Sequence, residues 1–374
     1  MPCSAAFAAE YNAALVADMN TGQILFKDKA DDLNYPASLT KIMTLYLTFD
    51  ALDHGRLHLE DLLIVSNAAA NASPVKLGLV AGSKISVEDA IKAVAVISAN
   101  DVARVLAENL KGGKEGNFAS LMTQVATEIG LSRTNFENSS GLPDDDHLSS
   151  ARDIALLSLA VYQHYPQYWK YFGIKSWTYN GKTHANGNRL LGSYPGCDGM
   201  KTGYTNKSKY SLVSTAQRDG RHIMVVVLGA PDKDVRADVS RRLLDRGFAT
   251  AGGNVPINVV GEERRANISS EMEINSYGNS EPSVFVSSSA SRSSISVDGK
   301  VAAGKSGVQF GAFSSRGAAG TQQSRVLSAL GIQTNIEIAP NGLFRVRANG
   351  LSESAAQNAA SRAKASGIDC YVFH

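Results

Sequence analysis

Ser38 and Lys41 stand three residues apart in the stretch "PASLTKIMT", whose apolar spacing reads as the start of an amphipathic helix. Residues three apart share a helix face, so a lysine amine there reaches a serine hydroxyl. A hydroxyl at a helix start also lies near backbone N–H groups that have no partner within the helix. Two readings follow: a nucleophile with its base, or a helix cap with a surface charge, since Pro36 before a serine is an ordinary helix-entry signal. Two further clusters of reactive residue types lie downstream. Ser98-Ala99-Asn100 falls between two helical runs in "VISANDVA", and Lys201-Thr202-Gly203 opens a strand in "GCDGMKTGYT".

The elements that must position these residues are readable from periodicity. Residues 13 to 27 alternate apolar and polar side chains around Asn20-Thr21-Gly22, which predicts a β-hairpin. A second hairpin is predicted around Asp219-Gly220, with the apolar run from Ile223 to Leu228 in mid-sheet. Between the hairpins, "TKIMTLYLTFDAL", "SVEDAIKAVAVISAN", "NDVARVLAENL", "NFASLMTQVATEIG" and "SARDIALLSLAVYQHY" carry apolar residues at spacings of three and four, the pattern of helices. Strands at both ends with helices between them predict a sheet closed by distant segments and covered by helices.

Composition narrows the class. A chain of 374 residues suits one large domain plus a small one, and 44% hydrophobic with 19% charged residues describes a globular protein. No apolar run reaches the roughly 20 residues that a spanning helix needs. With 37 basic against 35 acidic residues, no global charge argues for nucleic acid as a partner. Cys3, Cys197 and Cys370 lie too far apart to read as a disulfide framework or a zinc cluster, and His54 and His58 bracket what reads as a solvated turn. No metal or cofactor is expected. The opening "MPCSAAFAAE" ends like a signal-peptidase cleavage region but lacks a basic n-region and a long apolar stretch, so residues 1–9 read as a signal-peptide remnant, with a plain flexible N-terminus as the alternative.

Taken together and in this order, "SLTK", "SAN" and "KTG" resemble the signature of the serine penicillin-binding proteins and serine β-lactamases. The resemblance sharpens to the low-molecular-mass D-alanyl-D-alanine carboxypeptidases through "ASLTKIMT", "TNFENSSGL", "HLSSARDIALLS" and "YPGCDGMKTGYT", and runs over residues 11 to 250. It implies a β-lactamase/transpeptidase-like α/β domain over residues 10–252: an antiparallel sheet flanked by helices, plus an all-helical lobe. It also implies an acyl-enzyme on Ser38. A serine hydroxyl needs a neighbour to take its proton as it attacks a carbonyl carbon. Lys41 is the candidate base, its pKa lowered by desolvation and by Lys201. Ser98 is expected to relay a proton to the leaving amine and Asn100 to hold the substrate amide, with helix capping as the alternative for both. Lys201 and Thr202 are expected to bind a terminal carboxylate, and Gly203 to let a substrate backbone lie against the strand edge. The backbone N–H groups of Ser38 and Tyr204 form the implied oxyanion hole, with Tyr204 standing where the family often has His. Cys197, just before the third motif, is either a reactive thiol or a packed one.

Deacylation separates carboxypeptidase from β-lactamase. Glu137 in "NFENSSGLPDDDHLSS" lacks the asparagine partner that a class A β-lactamase glutamate would have, so penicillin is expected to leave slowly and to inhibit.

Residues 253–303 are Ser-rich and read as a linker. Residues 304–374 read as a ferredoxin-like βαββαβ unit whose halves echo each other in "LSALGIQTNIEI" and "AKASGIDCYVF". "GVQFGAFSS" and "LFRVRANG" resemble the SPOR domains that bind peptidoglycan glycan strands. Gln309, Arg345 and Arg347 are candidate sugar contacts or simply a strand's solvated face. The whole implies an extracytoplasmic, wall-associated enzyme acting on peptidoglycan and inhibited by β-lactams. An endopeptidase on cross-linked stems, a serine β-lactamase and a non-enzymatic penicillin-binding scaffold stand as alternatives.

Overall fold

A computed structural model describes residues 10–250, 306–313, 335–338, 344–366 and 370–373, with single positions between 319 and 368. The expected signal remnant and linker, and Cys3 with them, lie outside the described residues. The chain divides into two compact units on either side of residue 282, each taken by itself below.

In the first unit, β1 (Ala13–Asp18) and β2 (Ile24–Asp28) form the expected hairpin, closed where Asp18 Oδ1 accepts the backbone N–H of Asn20 at 3.0 Å. Its partner comes from more than 200 residues away: β1 runs antiparallel to β9 (Arg221–Ala230), with Ala13 opposite Leu228. β8 (Lys209–Arg218) joins β9 through Asp219 and Gly220, both with positive φ (50° and 75°), as a two-residue turn between strands requires. β7 (Cys197–Thr205) then pairs with β8 and closes the order β2-β1-β9-β8-β7, which leaves β7 at an edge.

Both faces of this sheet are covered. Leu15, Met224, Val226 and Leu228 belong to one core, and the alternate residues Val16, Val225 and Val227 to another with Leu243 and Leu244 of α7 (Lys233–Ala249). The first core is shared with α1 (Lys41–Asp53), α3 (Val87–Val96), α4 (Asn100–Leu110), α5 (Glu115–Glu128) and α6 (Ala151–His164), the helices that periodicity predicts. α1 is buried from Lys41 to Ala51 on every side, so its polar residues need partners within the protein. Asp50 takes Arg56 at 2.7 Å and the Tyr165 hydroxyl at 2.7 Å, and the Thr44 hydroxyl donates to Ser139 O at 2.6 Å. The short elements β3 (Leu62–Ile64), α2 (Asn67–Ala70), β4 (Lys84–Ser86), β5 (Ser176–Tyr179) and β6 (Lys182–Ala185) and a 3-10 helix, Pro166–Gly173, that buries Trp169, Tyr171 and Phe172 also belong to this unit, and none of them is predicted from the sequence.

The second unit is a four-stranded antiparallel sheet in the order β11 (Asn335–Ile338), β12 (Phe344–Leu351), β10 (Ser306–Phe313), β13 (Tyr371–Phe373). Val308, Phe310, Val346 and Ala348 pack with Ala356, Ala359 and Ala363 of α8 (Glu353–Ala365), which covers one face. The order β10, β11, β12, α8, β13 fits the predicted βαββαβ unit, whose first helix, between β10 and β11, lies largely outside the described residues. No helix among the described residues is long and apolar enough to cross a membrane.

Candidate active site

Ser38 lies in a 3-10 turn, Ala37–Thr40, that runs directly into α1. Ala37 holds φ +48°, a left-handed conformation costly for a residue with a Cβ, so its surroundings must enforce it. Two glycines bracket the turn. A Cβ on Gly141, whose φ is +79°, would stand 1.8 Å from Ala37 O, and one on Gly203 would stand 3.1 Å from Pro36 O. Gly203 therefore admits the nucleophile turn against β7.

Lys41 is fully buried at the head of α1. Its Nζ lies 2.9 Å from Ser38 Oγ, 2.7 Å from Asn100 Oδ1 and 2.6 Å from Ser140 O. Desolvation, and then the charge of Lys201, hold this amine well below the ordinary lysine value, while Glu115 and Asp101 pull the other way. Hydrogen counting also admits a neutral amine. Nζ donates to all three oxygens; in the neutral form Asn100 Oδ1 and Ser140 O, which can only accept, would keep its two N–H bonds, and the lone pair would then face the Ser38 hydroxyl. The cap-and-surface-charge reading does not survive this burial: Thr40, not Ser38, caps α1, and it does so without a side-chain bond.

Asn100 is nearly buried and its carboxamide is engaged on both sides, by Lys41 and by donation to Ser73 O at 3.0 Å. In this structure it orients the lysine, with one N–H and one oxygen lone pair of the carboxamide not used by these two bonds. Ser98 sits at φ +64° between α3 and α4, and its buried Oγ has no partner among the described residues. The N-cap of α4 is Ala99, so neither Ser98 nor Asn100 is the capping residue. Asp101 gathers the backbone N–H groups of Leu77, Gly78 and Leu79 at 2.9, 2.8 and 3.2 Å, which pins the loop beside Asn100.

On β7, Lys201 is 2% exposed and its Nζ donates to Thr202 O at 3.1 Å. Burial, reinforced by Arg236, brings its pKa down to about 7. Arg236 of α7 is itself buried, with only long bonds to Ser211 O (3.4 Å) and Gly187 O (3.5 Å) and with its Nε unpartnered; burial lowers it to about 10. A Cβ on Gly187 would stand 2.9 Å from Thr202 Oγ1, so this glycine brings the chain close to the strand. Two desolvated cations with few acceptors form a place suited to an anion. Thr202 is half-buried, and Tyr204, next on the same strand face, is 49% exposed and stacks on Tyr210 at 4.3 Å between centroids. Cys197 is packed: its Sγ lies 3.5 Å from Ser214 Oγ, and burial pushes the thiol up.

The sequence reading misses Ser140, His147 and Arg236. Arg236 was signalled, because it shares a helical face with Val239, Ser240 and Leu243. Asn138 carries the turn that delivers Ser140: its Oδ1 accepts from the backbone N–H groups of Ser140, Gly141 and Leu142 at 3.1, 2.7 and 3.1 Å. Glu137, the residue weighed as a β-lactamase glutamate, accepts from Asn135 Nδ2 at 2.7 Å.

In the second unit the sheet face opposite α8 is polar. Gln309 is buried, and its Oε1 accepts from Arg347 Nε at 2.8 Å and from the Tyr371 hydroxyl at 2.9 Å. It braces its neighbours and has no free acceptor pointing outward. Arg347 lies 4.4 Å above the Phe373 ring, and Tyr371 is half exposed.

Comparison with known proteins places this geometry. Residues 3–232 match the family model of the D-alanyl-D-alanine carboxypeptidases, peptidase S11, and residues 302–373 match the SPOR domain. D-alanyl-D-alanine carboxypeptidase DacF of Bacillus subtilis is 33% identical over 245 residues, covering 64% of this chain and 62% of DacF. DacC of Escherichia coli is 36% identical over 241 residues, covering 63% and 60%. The chain thus spans about three fifths of the length of these curated relatives. Among solved structures, penicillin-binding protein 5 of Haemophilus influenzae superposes with a TM-score of 0.62 at 34% identity, over 64% of this chain and 71% of that one. Penicillin-binding protein D2 of Listeria monocytogenes in its ampicillin-bound form gives 0.59 at 32% identity, over 64% and 97%.

Proposed function

The chain belongs to the D-alanyl-D-alanine carboxypeptidase family, peptidase S11, and on that premise we propose that it removes the terminal D-alanine from peptidoglycan stem peptides through an acyl-enzyme on Ser38. The observation that carries the reading is the placement of Lys41: a buried amine 2.9 Å from the serine oxygen, with two further partners that can only accept, so that on losing a proton its lone pair faces Ser38.

Ser38 Oγ attacks the carbonyl carbon of the penultimate residue while its proton passes to Lys41. The N–H groups of Ser38 and Tyr204 take the oxyanion. The C–N bond breaks as Ser98, whose hydroxyl has no partner among the described residues, hands a proton to the leaving amine, and D-alanine departs. Lys41, now protonated, passes its proton back through Ser98, and in its neutral form activates the water that hydrolyses the ester. Lys201, Thr202 and Arg236 hold the free carboxylate that distinguishes this substrate from an internal peptide bond. As an edge strand, β7 offers backbone groups to an extended peptide.

A β-lactam acylates Ser38 by the same attack and stays. The second unit holds the enzyme to glycan strands through the polar face that carries Arg347 and Tyr371, and Arg345 lies on the same strand as Arg347. Such a protein works outside the cytoplasm, on the wall. Residues 10–252, 253–303 and 304–374 would then serve as catalytic domain, linker and wall tether.

Mass spectrometry of wild type and Ser38→Ala, each with penicillin and with a stem pentapeptide, tests the reading. A long-lived penicilloyl adduct on Ser38 and release of one D-alanine per peptide are expected, both abolished in Ser38→Ala. Rapid nitrocefin turnover without a trapped adduct would point to a β-lactamase, cleavage confined to cross-linked muropeptides to an endopeptidase, and an adduct without any peptide cleavage to a scaffold.

A further inference from the structure

The acyl-transfer steps leave one charged cluster at the mouth of the site unused. β7 sets a direction. The carboxylate end of the substrate lies by Lys201 and Thr202 and the oxyanion by the Tyr204 N–H, two residues and roughly 7 Å further along the strand. The acyl arm of the peptide therefore continues past Tyr204 toward residues 206–208, the turn into β8. There Lys207 and Asp145 form a direct ion pair, Lys207 lies 5.3 Å over the Tyr35 ring, and the Tyr204 hydroxyl donates to Asn206 Oδ1 at 3.0 Å.

Three separate segments meet at this rim. Tyr35 stands three residues before Ser38, Asp145 follows the turn whose Ser140 carbonyl holds Lys41, and Lys207 follows β7. The Lys207 and Asp145 side chains are 51% and 83% exposed, so their pairing adds little to stability and both ends stay open to a ligand. The cluster is also unbalanced: Asp145 and Asp144 both act on one lysine, which leaves acceptors for a ligand ammonium while Lys207 takes a ligand carboxylate.

We propose that this rim is a subsite for the third residue of the stem peptide, and that it selects stems whose third side chain ends in a zwitterionic amino-acid head, an ammonium and a carboxylate on one carbon. The proposal rests on the carboxypeptidase reading, which fixes the direction of the acyl arm. The third residue is bonded directly to the acylating one, and its Cα lies about 3.8 Å from that neighbour's. The exchange of partners is isoelectric: Asp145 leaves the Lys207 ammonium for the ligand ammonium, and Lys207 leaves the Asp145 carboxylate for the ligand carboxylate.

The test measures D-alanine release by the full chain from three pentapeptides that differ only at the third residue: meso-diaminopimelate, L-lysine and L-alanine. Wild type is expected to favour the diaminopimelate stem. Lys207→Gln should cut kcat/KM for that stem on the order of tenfold, mostly through KM, and leave the lysine and alanine stems unchanged. Asp145→Asn should cut both the diaminopimelate and lysine stems and spare alanine. An equal fall for all three stems would make the pair a strap that shapes the site, and no change in any would make it an idle surface pair; either result overturns the subsite. If wild type acylates with penicillin yet releases D-alanine from none of the three, the carboxypeptidase reading falls and the subsite with it.

Discussion

His147 donates its Nε2 hydrogen to Thr40 Oγ1 across 2.8 Å, and its tautomer is fixed because Nδ1 accepts the backbone N–H of Glu137 at 3.2 Å. Thr40 lies between nucleophile and base, so a ring from 107 residues away holds the turn on which both depend. His147→Ala is expected to lower the rate of Ser38 acylation about tenfold through misplacement of that turn, with His147→Gln restoring most of it, because a carboxamide can also donate to Thr40. Stopped-flow acylation with a fluorescent penicillin reads both. Burial depresses the imidazole from 6.5 to about 4. The folded state therefore refuses a proton that the unfolded state accepts, and stability is full above about pH 6.5 and falls as pH drops toward 4, by about 3 kcal/mol. His147→Gln should flatten the fall in Tm between pH 7 and pH 4.5.

Gly141 and Gly203 bracket Ala37 unequally. At Gly141 a Cβ would overlap Ala37 O, on a backbone already at φ +79°, whereas at Gly203 it would meet Pro36 O at 3.1 Å and two apolar atoms at 3.4 Å. Gly141→Ala is expected to cost about 2–4 kcal/mol and to abolish acylation, and Gly203→Ala about 1 kcal/mol with reduced but measurable acylation. Urea denaturation and penicillin labelling of both variants check the ordering. Equal losses would mean that the turn adapts to either side.

The hairpins, helices α1 and α3 to α6 of the first unit, and the strands and α8 of the second were legible in the sequence because periodicity reports burial on one face, whereas α2 and α7 were not predicted. β9 was legible as an apolar run but its partner was not, since pairing with β1 across more than 200 residues leaves no local trace. Of the site, Ser38, Lys41 and Lys201 were legible as a set. The inward contacts of Asn100 and Gly203 were not legible, because sequence shows a residue's chemistry without its neighbours: Lys41 and Ser73 bind the first, and the nucleophile turn packs against the second. His147 had no sequence signal at all. Its one functional contact is set by tertiary packing of the "DDDH" segment against α1.

Arg347 offers a test of the second unit that spares the first. It is tied to Gln309 and Glu337 at 2.8 and 3.3 Å and lies over Phe373 on the sheet face away from α8. Arg347→Glu in the full chain is expected to lose co-sedimentation with amidase-treated sacculi while penicillin labelling of Ser38 stays at the wild-type level. Retained sedimentation would move the glycan contact to another face.

Lys201 and Lys41 should bend the pH profile in opposite directions. Lys41 must be neutral to take the serine proton, so its protonation as pH falls produces an acid limb in kcat/KM. Lys201 must be charged to hold the carboxylate, and its pKa of about 7 means that the free enzyme loses that charge as pH rises through neutrality. An alkaline limb is expected there, with kcat/KM falling up to about tenfold per pH unit. Bound carboxylate stabilises the ammonium, so the matching limb in kcat lies at higher pH. A stem peptide whose terminal carboxylate is amidated should show a lower kcat/KM and no alkaline limb near 7, since it gains nothing from the charge. Lys201→Arg, which stays cationic throughout, should remove the limb for the natural carboxylate as well. An alkaline limb that persists at 7 in both experiments would assign it to another group and leave Lys201 outside carboxylate recognition.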